Sequence, residues 1–175
     1  MAKQASAGEM RTRITIKKLT PGIDSDGYAT ETWLDILSTT SYAIMPTPTL
    51  QLLGQVAQYT GTTTVTPPIY TKDQVYKCVS NGATPPVYLW GTTDTKIRCK
   101  WVSVHGKEVM ENDRLGLGQV ATITMRYTSL VTPRCRVWYE ADAQTDMNAW
   151  EVVSVNDPED RHAFLEITLR KLVVA

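Results

Sequence analysis

Between residues 121 and 170 the apolar side chains return at every second position in three separate runs. Ala121, Ile123, Met125 and Tyr127 alternate with Thr122, Thr124 and Arg126. Cys135, Val137 and Tyr139 alternate with Arg136, Trp138 and Glu140. Leu165, Ile167 and Leu169 alternate with Glu166, Thr168 and Arg170. Extended backbone sends successive side chains to opposite faces, so each run is a strand with one buried face. Residues 149–155, Ala-Trp-Glu-Val-Val-Ser-Val, add a fourth strand. The connections are short: Thr128–Pro133, Ala141–Asn148 and Asn156–Asp160. Strands this close together form an antiparallel meander.

The N-terminal part repeats the pattern. Ile14 and Ile16 share one parity, while Arg11, Arg13 and Lys17 share the other. A turn over residues 21–27, with Gly27 placed for positive φ, leads to a second strand over Tyr28–Ile36. Together these two form a hairpin. Another strand runs from Ile97 to Val104, and Lys107–Leu115 is the one predicted helix, stopped by Gly116-Leu117-Gly118. The chain has 25 threonines and a single phenylalanine, and β-branched threonine favours strands. The fold class is mainly β: a small antiparallel barrel or sandwich with one short helix and a long inserted loop and hairpin.

The insertion has its own texture. No charged residue occurs from Ile36 through Thr71, a window rich in Thr and Pro that holds Leu50-Gln51-Leu52-Leu53. Ordinary solvated loops carry charge, so this segment is expected to lie against partners or a pore, or to be mobile. Removing residues 45–65 is expected to leave a folded chain. Gln74–Val79 and Pro86–Trp90 then form a hairpin around Asn81-Gly82. The expected division is residues 1–36 with 99–175 as the β domain and 37–98 as the insertion, split into an uncharged loop over 37–71 and a hairpin over 72–98.

With 18 Lys+Arg against 18 Asp+Glu, the net charge is zero, which argues against gripping nucleic acid by charge. No apolar stretch is long enough for a membrane helix, and the N-terminus lacks the apolar core of a secretory signal. A cytoplasmic setting with reduced thiols at Cys78, Cys99 and Cys135 is therefore expected. His105 and His162 lie in no zinc-ligand spacing, and no Cys-x-x-Cys occurs. Most acidic residues fall in turns. No catalytic constellation emerges, so no enzyme, metal or cofactor is expected. Arg11, Arg13 and Lys17 form a basic stripe, read equally as a charged edge strand or as a contact for an acidic partner or DNA phosphates. Trp138 lies on the polar parity of its strand, where an exposed indole suggests a protein interface.

The order of these landmarks resembles phage head–tail joining proteins, also called head-closure or stopper proteins. The resemblance rests on Ala7–Ile16, Asp26-Gly27-Tyr28, Glu31-Thr32-Trp33, the strand Trp101–Glu108, and Thr124-Met125-Arg126-Tyr127. It continues through Arg136-Val137-Trp138, Trp150–Val155 and Asn156-Asp157-Pro158, covering residues 7–36 and 99–173. It implies a small β-barrel with one helix, and a departure from the family at residues 37–98. It also implies a neck component of the virion, assembled in the host cytoplasm as a ring of 12 or 6 copies. Portal or adaptor proteins would lie above, and tail-completion or tail-tube proteins below. Double-stranded DNA would pass through the lumen without sequence specificity.

On this reading Thr47, Leu50, Gln51, Leu53, Gln55 and Gln58 are candidate channel-facing or plug residues. Arg11, Arg13, Lys17, Arg126, Arg136 and Trp138 are candidate partner contacts. One alternative is a tail-completion ring subunit. Another is a small barrel that binds single-stranded nucleic acid, with Trp138 as its stacking platform.

Overall fold

The computed structural model describes residues 7–23, 26–38, 40–61, 70–104, 119–158 and 161–171. Two compact units divide it: Met1–Leu19 with Lys96–Ala175, and Thr20–Thr95. These limits fall earlier in the chain than the expected ones at 36/37 and 98/99, so the second expected strand goes with the inserted unit.

The first unit is a closed antiparallel barrel of six strands. They are β1 (Thr12–Ile23), β7 (Ile97–Val104), β8 (Val120–Arg126), β9 (Cys135–Tyr139), β10 (Trp150–Asn156) and β11 (Phe164–Lys171). The order around the barrel is β1-β7-β8-β11-β10-β9, and β9 pairs back onto β1 through Ile14↔Tyr139 to Lys18↔Cys135. The early part of β1 also pairs with β7, Thr12↔Cys99 to Ile14↔Ile97. β1 therefore closes the barrel, and the edge-strand reading of its basic stripe does not hold. Closure removes free edges, so no charge is needed to protect this strand from aggregation.

The interior comes from the alternating positions. Ile14, Ile16, Cys99, Ala121, Ile123, Val137, Ile167 and Leu169 are fully closed to solvent, with Met125 and Cys135 nearly so. Burying each Ile, Leu or Val contributes about 1.5–3 kcal/mol against an exposed reference. β10 carries a register shift between Val152 and Ser154, and Val153 in between is turned outward. Such a bulge adds local bend to a strand that has to curve around a small barrel.

The second unit holds β2 (Ala29–Asp35), β3 (Thr40–Tyr42), β4 (Val56–Tyr59), β5 (Val75–Ser80) and β6 (Tyr88–Thr92). β2 adjoins β1, as expected for the hairpin. The other four form a sheet in the order β3-β4-β5-β6, with β3 parallel to β4 and the remaining pairs antiparallel. The β5–β6 hairpin matches the expectation; β3 and β4 lie inside the uncharged window and carry no clear alternation. Ala57, Tyr59, Tyr76, Cys78 and Trp90 form the core of this sheet, with Tyr42, Met45, Leu52, Tyr70 and Tyr88 packed against it. β4 occupies a central position between β3 and β5, so removing residues 45–65 would take out the middle of the sheet rather than a dispensable loop.

The predicted helix over Lys107–Leu115 lies outside the described residues. Among the described residues, no helix is long and apolar enough to cross a membrane.

Candidate functional site

In the inserted unit the candidate segment is a short turn with exposed side chains. Leu50–Leu52 make a 3-10 turn, with the Leu52 N–H on the Thr49 carbonyl at 3.1 Å and the Leu53 N–H on the Leu50 carbonyl at 3.2 Å. Gly54 follows at φ 85°, a conformation that favours glycine. Its N–H donates to the Cys78 carbonyl at 2.9 Å, and the Cys78 N–H donates to the Gln55 carbonyl at 3.0 Å. These bonds pin the turn to β5. Leu52 faces the core, while Leu50 and Leu53 are thrown outward at 64% and 48% exposure. Thr47 and Gln51 are exposed beside them.

Two of the six expected residues play another role. Gln55 is half-buried and its side-chain amide donates to the Tyr42 hydroxyl at 3.3 Å. Gln58 is entirely closed to solvent. Its Oε1 accepts the Asp35 N–H at 2.8 Å, and its Nε2 donates to the Trp33 carbonyl at 3.2 Å. Gln58 thus ties β4 to the backbone of β2 and is removed from the channel-facing set. Asp35 is buried as well, and its carboxylate accepts the Leu37 N–H at 2.9 Å and the Thr95 hydroxyl at 2.6 Å.

In the barrel unit the candidate contacts lie on the outer face. Arg11 is exposed, with its Nε on the Gly8 carbonyl at 3.3 Å. Arg13 is half-buried and pairs with Glu140 at 3.5 Å; Lys96 reaches the same carboxylate at 2.8 Å. The hydrogen bond from Lys96, helped by the nearby Arg13, Lys96 and Arg98 charges, holds the Glu140 carboxyl below its usual range against an opposing desolvation. Arg11, Thr12, Arg13, Tyr139, Glu140 and Ala141 line an open cavity of about 510 Å³. Arg126 is exposed at the end of β8. Arg136 is half-buried and pairs with Asp146 at 2.8 Å.

Lys17 and Trp138 depart from expectation. Both point outward by parity, yet Lys17 is buried and Trp138 is only 3% exposed. The connection Ala141–Asn148 covers them. The Trp138 indole donates to the Thr145 carbonyl at 2.9 Å, Gln144 reaches Thr15, and the Lys17 ammonium sits over the Trp138 ring at 5.5 Å. An indole sealed under a loop offers no platform for bases, so the nucleic-acid alternative loses the residue it rested on.

Sequence reasoning missed Arg98, Lys96 and Glu140 as members of this face. Their parity was legible, but which strands lie side by side was not. Burial pushes the Cys99 thiol up to about 12, so it stays protonated near neutral pH and is a core group rather than a nucleophile. Among the described residues, no group of three or more His, Cys, Asp or Glu side chains is placed to hold a metal ion.

Residues 71–172 match the sequence model of a family described as phage head completion protein. The matched stretch spans β5 to β11, and so includes residues 71–98, which the resemblance alone had set outside the family pattern. No curated protein matches the chain. Among solved structures, protein SF1141 from Shigella flexneri 2a is similar at 18% identity, over 95% of this chain and 96% of that one, with a TM-score of 0.45.

Proposed function

We propose, from the premise that this chain belongs to the phage head completion protein family, that it closes the DNA-filled head as a ring in the neck of the virion. Head closure by a structural protein is the family's role. The ring of 12 or 6 copies, the portal or adaptor above and the tail proteins below are the further reading. The observation that carries it is the family match over five of the six barrel strands. Barrel subunits that contact one another head-to-tail close into rings when the rotation allows.

The exposed turn at Leu50–Leu53 is the candidate lumen or neighbour contact. It lies in the uncharged window, and a surface without charge neither traps nor repels passing phosphates. Thr47 and Gln51 extend the same surface.

Sedimentation of the purified chain with portal-bearing, DNA-filled heads tests this reading. Six or twelve copies per vertex are expected, with heads that retain their DNA. The double variant Leu50→Asp, Leu53→Asp is expected to fold, bind heads and leak DNA. A wild-type chain that ignores heads would overturn the neck assignment.

A further inference from the structure

We propose that the outer face of β1, β7 and β8 is a docking site for a carboxylate-bearing surface of another particle protein, held by Arg13, Arg98 and Arg126. This deepens the joining role and rests on it for the origin of the partner, not for the anion site.

The argument starts from register. Arg13 lies directly opposite Arg98 across β1 and β7. β7 and β8 pair through Cys99↔Met125 and Lys100↔Thr124, and the same antiparallel register brings Arg126 opposite Arg98. Three arginines therefore stand abreast on neighbouring strands, within about 10 Å at the usual strand spacing. Their flanking residues Ile14, Cys99 and Met125 are buried, so the arginines face out.

Like charges directly opposite one another destabilise a sheet. The nearby carboxylates answer only part of this row. Glu140 pairs with Arg13 and Lys96 and feels the Arg98 charge only at longer range, and Glu9 pairs with Lys100 at 3.1 Å. Glu166 lies diagonally across from Arg126, opposite Thr124. Arg98 and Arg126 are exposed and form no ion pair with any described residue. In a chain of zero net charge, this is a local concentration of positive charge with its own folding cost.

A carboxylate partner fits better than a phosphate backbone. Glu9, Glu140 and Glu166 lie on the same face, and DNA would bring one negative charge per about 1.7 Å of axis against them. A neutral chain also lacks the long-range field that steers proteins onto DNA. Arginine forks pair bidentately with carboxylates, and arginine with aromatic residues marks the centres of protein interfaces. Phe164, opposite Arg126, supplies an aromatic flank.

The test uses the full chain, a fluorescent decaglutamate peptide and a mixed-sequence DNA duplex, at low and at physiological salt. Wild type is expected to bind the peptide more tightly than the duplex. Arg98→Glu and Arg126→Glu are each expected to weaken peptide binding about tenfold. Arg98→Lys keeps the charge without the fork and is expected to give a smaller loss. Arg170→Glu, outside the row, is expected to change nothing. Arg98→Glu, or Arg98→Gln should the reversal misfold, is also expected to raise the melting temperature of the free chain, because repulsion is relieved. Three results would each overturn the proposal: peptide binding unchanged in Arg98→Glu, tighter binding to DNA than to peptide, or a self-association lost in the same variant. Failure of wild type to join heads would strike the joining role and leave the peptide result standing.

Discussion

Replacing Gln58 by leucine removes the acceptor of the Asp35 N–H and the donor to the Trp33 carbonyl in a site closed to water. A leucine of similar size fills the space but leaves two backbone groups unanswered. Each unsatisfied buried group costs about 1–3 kcal/mol. Gln58→Leu should therefore lower stability by about 2–4 kcal/mol in urea unfolding. Gln51→Leu, on the exposed turn, should stay within about 0.5 kcal/mol. Equal effects of the two would mean that Gln58 does not tie β4 to β2. The pair also shows the limit of reading single residues. Both are glutamines in the same uncharged window, and only the three-dimensional placement separates a buried bracket from a surface group.

At the scale of elements, the connection Ala141–Asn148 acts as a cover. It carries a 3-10 turn at Asp146–Asn148, and the Asn148 side-chain amide donates to the Ala143 carbonyl at 3.1 Å. Beneath it Trp138 brings its indole to the Thr145 carbonyl, so the loop and the outer face of β9 hold one another. Trp138→Ala should cost about 3–5 kcal/mol, as for a large core aromatic. Trp138→Phe keeps most of the packing and gives up one hydrogen bond, so it should cost about 1–2 kcal/mol. Asp146→Ala loses only a surface ion pair and should cost under about 1 kcal/mol. Melting curves of the three variants would give this order; a mild Trp138→Ala would mean the cover is not packed in solution.

At the scale of the molecule, the barrel depends on a strand distant in sequence from the rest. β1 supplies Ile14 and Ile16 to the interior and bridges β7 and β9. Without it, the remaining five strands form an open sheet with two unpaired edges. A chain lacking residues 1–19 should therefore fail to give a cooperative melting transition and should aggregate through those edges. A separate peptide of residues 7–19 should restore the transition in part, with a midpoint that rises with peptide concentration. A cooperative transition in the truncated chain alone would show that closure is not required.

Much of the barrel was legible in the residues. The alternation of Ile123 with Thr124, or of Leu169 with Arg170, is a local property of extended chain, and it marked β8 and β11 and their buried faces. The β3–β4 pair was not legible, because three or four residues without clear alternation carry too little periodic signal. Parity puts Lys17 and Trp138 on the outer face, where they do lie, but it does not reveal their burial, since it says which side a residue takes and not what lies over it.

The sequence by itself determined that the chain is mainly β, which faces of its barrel strands are apolar, and, through its ordered landmarks, the family to which it belongs. Only the tertiary structure decided that β1 closes a barrel, that Gln58 and Trp138 are sealed, and that Arg13, Arg98 and Arg126 stand in one row. The reason is physical. Alternation comes from backbone geometry within a few residues, whereas closure, cover and cross-strand neighbours come from pairing between segments tens of residues apart, whose register no short stretch of sequence contains.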